Sequence, residues 1–168
     1  DGATITNSGG LTITADTVVL GTVANEIAIT GAVVIQPDTL GATVSVSGGT
    51  TGTFSISTAE VEVINGANAT AVTFGRIDGT GAVDVGADIF DYVALIIAGG
   101  NIDVEGALTT TANTDLTLDG IGIDQEAGGT INMGAGFVRL NAGAAAFTRT
   151  DGATITNSGG LTITADTV

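Results

Sequence analysis

Residues 1–18, DGATITNSGGLTITADTV, recur letter for letter as residues 151–168. Identity over eighteen positions makes the chain one 150-residue period followed by the opening of the next. A fixed period is the signature of a repeat architecture, in which each unit buries its apolar side against its neighbours. The expectation is a segment of a longer tandem array. Residues 1–150 form one unit, and residues 151–168 begin an identical one.

Within the period the dominant local signal is apolar/polar alternation, the pattern of a strand with one buried face. Leu11 and Ile13 alternate with Thr12 and Thr14; Val44 and Val46 flank Ser45; Phe54 and Ile56 flank Ser55. The same rhythm predicts strands around Val61–Val63, Val72–Phe74, Val83–Val85, Ile102–Val104, Leu116–Leu118, Ile131–Met133 and Val138–Leu140. No stretch has helical periodicity. Asp-Gly at Asp1-Gly2, Asp78-Gly79 and Asp119-Gly120, and Gly-Gly at Gly9-Gly10, Gly48-Gly49, Gly99-Gly100 and Gly128-Gly129, supply the backbone freedom of tight corners.

Spacing separates a coil from a meander. Apolar centres recur at Ile13, Val34, Phe54, Phe74, Leu95, Leu116 and Phe137, at steps of 20 or 21 residues. A second row, Val46, Val63, Val85, Val104, Ile123 and Leu140, follows at steps of 17 to 22. The fold class expected is all-β, a parallel β-helix (β-solenoid) of about 20 residues per coil, with seven or eight coils per period. At about 4.8 Å per coil, one period spans roughly 34–38 Å of rod.

Three stretches are apolar on both faces: Val18-Val19-Leu20, Val33-Val34-Ile35 and Val93-Ala94-Leu95-Ile96-Ile97. A two-sided apolar strand is usually covered on both sides. The segment Asp88–Tyr92 is the expected cover for the third stretch, and Val93, Leu95, Ile96 and Ile97 are the candidates for lateral self-association.

Charge narrows the partners. The period carries sixteen acids against Arg76, Arg139 and Arg149, with no lysine, histidine or cysteine. A basic patch for phosphate contacts is therefore not available, and no nucleic-acid partner is expected. Thiolate metal sites and disulfides are excluded. No apolar run is long enough for a membrane-spanning helix, so no membrane insertion is expected.

Residues 53–87, TFSISTAEVEVINGANATAVTFGRIDGTGAVDVGA, carry a more specific pattern. A Ser-rich strand at Phe54–Ser57 leads to an Ala59-Glu60 turn and an apolar strand at Val61–Ile64. Thr73-Phe74-Gly75-Arg76, the turn Asp78-Gly79-Thr80-Gly81 and an alternating strand at Ala82–Val85 follow. This segment resembles the filamentous-haemagglutinin-like adhesins and related β-strand-repeat exoproteins of bacteria. The resemblance covers about a fifth of the chain. It implies a right-handed parallel β-helix, secreted by a Gram-negative bacterium and displayed at the cell surface as a long fibre. It carries over no catalytic residue.

Candidate chemistry lies in the acids. Glu60/Glu62 and Asp103/Glu105 are two apart on expected strands, which places each pair on one side about 6.6 Å apart. That is near the carboxyl spacing of inverting glycosidases; a solvated strand face is the plainer reading. Asp119, Asp124 and Glu126 place three carboxylates within eight residues, without the rhythm of a calcium loop, and are weak calcium candidates. Asn68-Ala69-Thr70 fits a glycosylation sequon. Thr-x-Thr pairs at Thr4/Thr6, Thr12/Thr14, Thr51/Thr53, Thr109/Thr111 and Thr148/Thr150 would bind ice only if stacked once per coil.

The reading is a non-enzymatic structural module. Further copies join end to end into a stiff extracellular fibre or adhesin stalk, which could carry a host-surface or carbohydrate ligand. The alternatives are a carbohydrate-active β-helix enzyme and an ice- or surface-binding solenoid.

Overall fold

The structure is a computed structural model of the 168-residue chain, and it describes residues 3–50 and 52–168. The Asp1-Gly2 turn and Thr51 of the Thr51/Thr53 pair lie outside the described residues.

The strands fall into successive turns of a coil. The first holds β1 (Ile5–Asn7) and β2 (Leu11–Thr14); the second holds β3 (Ile27–Ile29), β4 (Ala32–Gln36) and β5 (Val44–Val46). An excursion follows, made of β6 (Phe54–Ile56) and a single helical turn, α1 (Thr58–Val61). The coil then resumes with β7 (Ala71–Gly75) and β8 (Val83–Val85), then β9 (Asp88–Ile89), β10 (Ala94–Ala98) and β11 (Asn101–Val104). It continues through β12 (Ala107–Thr109), β13 (Asp115–Asp119) and β14 (Gly122–Gln125), then β15 (Thr130–Asn132), β16 (Val138–Asn141) and β17 (Phe147–Arg149). It ends in β18 (Thr154–Ile155) and β19 (Leu161–Thr164).

Among the described residues every strand pairing is parallel, and the coil has three faces. The first is a seven-stranded sheet, β2-β4-β7-β10-β13-β16-β19, and the second a six-stranded sheet, β6-β5-β8-β11-β14-β17. The third consists of β9-β12-β15-β18 and the pair β1-β3, which a bridge from Ile27 to Ile64 extends. The protein is thus a parallel β-solenoid, and its stability is a sum over coils and their contacts.

Register turns the sequence alternation into continuous core columns. On the first face Leu11, Val33, Val72, Leu95, Leu116, Val138 and Leu161 stack in one column. Ile13, Ile35, Phe74, Ile97, Leu118, Leu140 and Ile163 stack in the next. Interior members of both columns are fully buried. Burial of each such side chain contributes about 1.5–3 kcal/mol. A one-residue slip would turn a whole column outward, so the register is strongly specified.

The columns set the coil spacing. Steps are 21 to 23 residues, apart from one of 39 between Val33 and Val72. The seven strands of the first face mark seven turns of the coil, and the six steps from Leu11 to Leu161 span about 29 Å, short of the 34–38 Å expected. The long step is the β6–α1 excursion. After β5, Ser47 and Gly48 take left-handed backbone (φ 54° and 77°), and the chain drops back to pair β6 beside β5 on the side away from β8. β6 thereby fills the second face level with β2. Seven residues make this parallel return, where a dozen or more are usual.

The apolar rows expected from spacing mix faces. Phe54 lies on the second face and Phe74 on the first, while Val34 points outward between the buried Val33 and Ile35. Phe137 is only half-buried, with the Arg139 guanidinium 4.4 Å above its ring. Val61 and Val63 are buried, but from a helical turn and not a strand. Ser57 caps that turn: its hydroxyl accepts from Glu60 N–H, and Glu60 accepts from Ser57 N–H at 2.9 Å, a capping box.

The expected cover over residues 93–97 is also different. Asp88–Tyr92 does not leave the coil: β9 joins the third face, and Phe90 and Tyr92 turn into the core, with the Tyr92 hydroxyl donating to Val61 O at 2.9 Å. Leu95 and Ile97 are wholly buried, so of the lateral candidates only Val93, at 59% exposure, and half-buried Ile96 face outward.

Candidate functional site

The acids of the sequence do not gather where their spacing along the chain suggests. Glu60 and Glu62 sit in and just after α1, not on a strand. Glu60 Oε1 instead accepts from Leu20 N–H at 3.0 Å, tying down the Val18–Leu20 stretch, which is loop and leaves Val19 exposed. Asp119 is on the first face, where Asn141 Nδ2 donates to it at 2.6 Å; Asp124 is on the second; Glu126 follows β14 at the corner. Among the described residues, no group of three or more His, Cys, Asp or Glu side chains is arranged to hold a metal ion.

Register brings together acids that are 19 and 21 residues apart. Asp84, Asp103 and Asp124 are direct partners across β8, β11 and β14, between Ser45 on one side and Thr148 on the other. Adjacent members of this column are about 4.8 Å apart along the axis. Asp84 is 5% exposed. The Asn101 amide bridges the upper pair, donating to Asp103 Oδ1 at 2.7 Å and Asp124 Oδ2 at 3.0 Å. From the loop between β5 and β6, Thr50 N–H donates to Glu105 Oε2 at 3.1 Å. Its hydroxyl lies 2.6 Å from Glu105 Oε1 and 3.3 Å from Asp84 Oδ2.

This crowding changes protonation. Burial, then the charges of Asp124, Asp84, Glu126 and Glu105, push the Asp103 carboxyl up to about 6. Asp88, further round the coil, is also raised, chiefly by burial, although the Ser47 hydroxyl and Ile89 N–H donate to it. Asp103 thus takes up a proton at a higher pH than an ordinary aspartate does. The arginines stand apart from it: Arg76 pairs with Asp78 at 2.6 Å and donates to Asp38 O at 2.8 Å, and Arg139 covers Phe137. Arg149 shares a column with buried Gln125, not with the aspartates.

Among the described residues, threonines form no continuous ladder either. The outward column of the first face reads Thr12, Val34, Thr73, Ile96, Thr117, Arg139, Thr162. Sequence reasoning missed the aspartate column because it compared neighbours along one strand. The signal the sequence offered was their spacing of 19 and 21 residues, near one coil.

Among the described residues, two cavities of about 450 Å³ are found on the surface. One lies where the excursion rejoins the coil, between Glu62, Ile64, Asn65, Ile89, Asp91 and Tyr92. The other is the open mouth of the core at the last coil, lined by Phe147, Arg149, Ile155, Leu161, Ile163 and Val168. Comparison of the chain with protein-family models, with characterised proteins and with solved structures yields no match.

Proposed function

We propose that the chain is a structural module of a long rod, in which successive 150-residue units continue one solenoid without a break. The observation that carries this is register. The two identical segments occupy the same columns, Leu11 with Leu161 and Ile13 with Ile163, at opposite ends of one parallel sheet. A unit that ends as it begins, in phase with its own coil, is able to propagate. On the resemblance to the filamentous-haemagglutinin-like adhesins, the rod belongs to a secreted, surface-displayed bacterial protein. The net charge of −15 favours solubility and keeps neighbouring rods apart.

Small-angle scattering on chains of one, two and three units tests the reading. The expected result is an unchanged cross-section and a maximum dimension that grows by about 29 Å per unit. Compact bodies at variable separation, like beads on a string, would refute it.

A further inference from the structure

The third face is interrupted where the excursion rejoins the coil. Ile27 N–H donates to Val63 O, and Asn65 N–H donates to Ile27 O, both across the parallel bridge. Backbone groups in a parallel pair alternate in direction, so the N–H and carbonyl of Ile64 face the next coil, where β9 lies. The two edges do not pair. Ile64 N–H turns back to Val61 O at 3.2 Å, and Ile89 N–H is taken by Asp88 Oδ1 at 2.7 Å. Among the described residues no strand pairing joins Ile64 to β9, and Ile64 O accepts no hydrogen bond. Ile64 is buried, so an unmet carbonyl there calls for a donor. The first of the two cavities, about 450 Å³, lies in this gap and has the size of a small-molecule site.

The lining sets the chemistry of that donor. Ile64, Ile89 and Tyr92 give the cavity apolar wall, and Glu62 and Asp91 give it charge. Asp91 Oδ1 accepts from the Thr110 hydroxyl at 2.9 Å and Thr111 N–H at 2.6 Å, and its Oδ2 from the Thr111 hydroxyl at 2.6 Å. Burial works against the charge, but these bonds hold the Asp91 carboxyl below its ordinary value, and it is ionised at neutral pH. The Glu62 carboxylate is exposed and accepts no hydrogen bond among the described residues. Burial, then the charges of Asp88, Asp91 and Glu62, raise the Tyr92 phenol, so three acids act on this one corner. No base lines the cavity. Arg76 is paired with Asp78, Arg139 covers Phe137, Arg149 is on the second face, and the chain has no lysine or histidine.

We propose that this cavity binds a primary alkylammonium group, carried by a lysine side chain of another molecule or by a free amine. An ammonium has three N–H donors and no acceptor, which matches an unmet carbonyl beside two carboxylates. Its methylenes cover the isoleucines and the tyrosine ring. A guanidinium fits less well, because both oxygens of Asp91 already accept from threonines and offer no free parallel pair to its planar fork. A metal ion fits less well too: among the described residues no three acidic side chains are arranged around one point. The chain has no lysine, so a side chain of a second copy is not the source. The site does not depend on the rod reading.

Amide NMR titration of the 168-residue chain at constant ionic strength tests it. The probes are n-butylammonium, a lysine peptide with blocked ends, and butanol as the uncharged control. The expected result is saturable shifts at Glu62, Ile64, Ile89 and Asp91, half complete at about 1–10 mM ammonium. Glu62→Gln should weaken binding about threefold. Ile89→Lys ties an ammonium of its own to the cavity and should weaken it about fivefold. Ile89 is 57% exposed, so the core does not lose a buried side chain by that change. Should Glu62→Gln lose its β circular dichroism, Ile89→Lys decides. Binding of butylammonium and peptide alike means that a lysine side chain suffices, and binding of butylammonium alone names a free amine; both support the site. Peptide binding without butylammonium binding places the contacts elsewhere and overturns it. So do equal shifts with butanol, shifts spread equally over Asp103 and Asp124, or affinity that neither variant changes.

Discussion

Replacing Asp103 by Asn removes the middle charge of the aspartate column while keeping an acceptor for the Asn101 amide. The carboxyl is held near 6 instead of 3.8, by burial first and then by the charges of Asp124, Asp84, Glu126 and Glu105. At about 1.4 kcal/mol per pH unit, the difference corresponds to about 3 kcal/mol against the charged form. Much of the group still meets water, so screening reduces this to about 1 kcal/mol. A raised carboxyl pKa means that the folded state holds the proton more tightly than the unfolded state. The stabilisation is fully present below pH 3.8 and is lost as pH rises through about 6. Asp103→Asn should therefore be more stable than the parent by about 1 kcal/mol at pH 8, with the gain vanishing near pH 3.5. Urea unfolding followed by circular dichroism at the two pH values reads the difference. The carboxyls of Asp16, Asp78 and Asp91 lie below their ordinary value through hydrogen bonds or an ion pair, and they cancel in the comparison because both proteins carry them. A variant less stable at pH 8, or a gain that is independent of pH, would show that the column is not under electrostatic strain.

Three further outcomes follow from packing and charge. Gly75 has φ +85°, and a Cβ there would lie 2.1 Å from Ala98 O of the next coil; Gly75→Ala should cost more than about 2 kcal/mol in urea unfolding. Tyr92→Phe removes the hydroxyl that bonds Val61 O in the core and should cost about 1–2 kcal/mol, measured the same way, without changing the strand content. Added salt, calcium or a lower pH should promote side-by-side association of rods, visible by light scattering at about 0.1 M ionic strength, where screening acts within about 10 Å; Val93→Asp should reduce it.

The strands were legible in the sequence because alternation is a local property, which the pleat converts directly into burial. Val83, Val85, Ile102, Val104, Leu116 and Leu118 are all wholly buried in strands, as their spacing predicts. The parallel solenoid was legible from the near-constant step. The duplicated ends showed that the chain returns to its starting phase. What the tertiary structure alone decided is everything that depends on which coil lies beside which. The return of β6 beneath β5 is set by packing of Phe54 and Ile56 into the first turn's second face, and alternation cannot distinguish a strand placed one level back from one placed one level forward. Val61–Val63 alternates like a strand, yet Ser57 and Glu60 cap a helical turn there, because the chain must climb from that level to Ile64. Asp88–Tyr92 reads as a loop covering the apolar run that follows it, but its aromatic rings, Phe90 and Tyr92, are buried in the core. The aspartate column arises only when coils of unequal length come into register, so a charge pattern that is dispersed along the chain becomes a ladder in space.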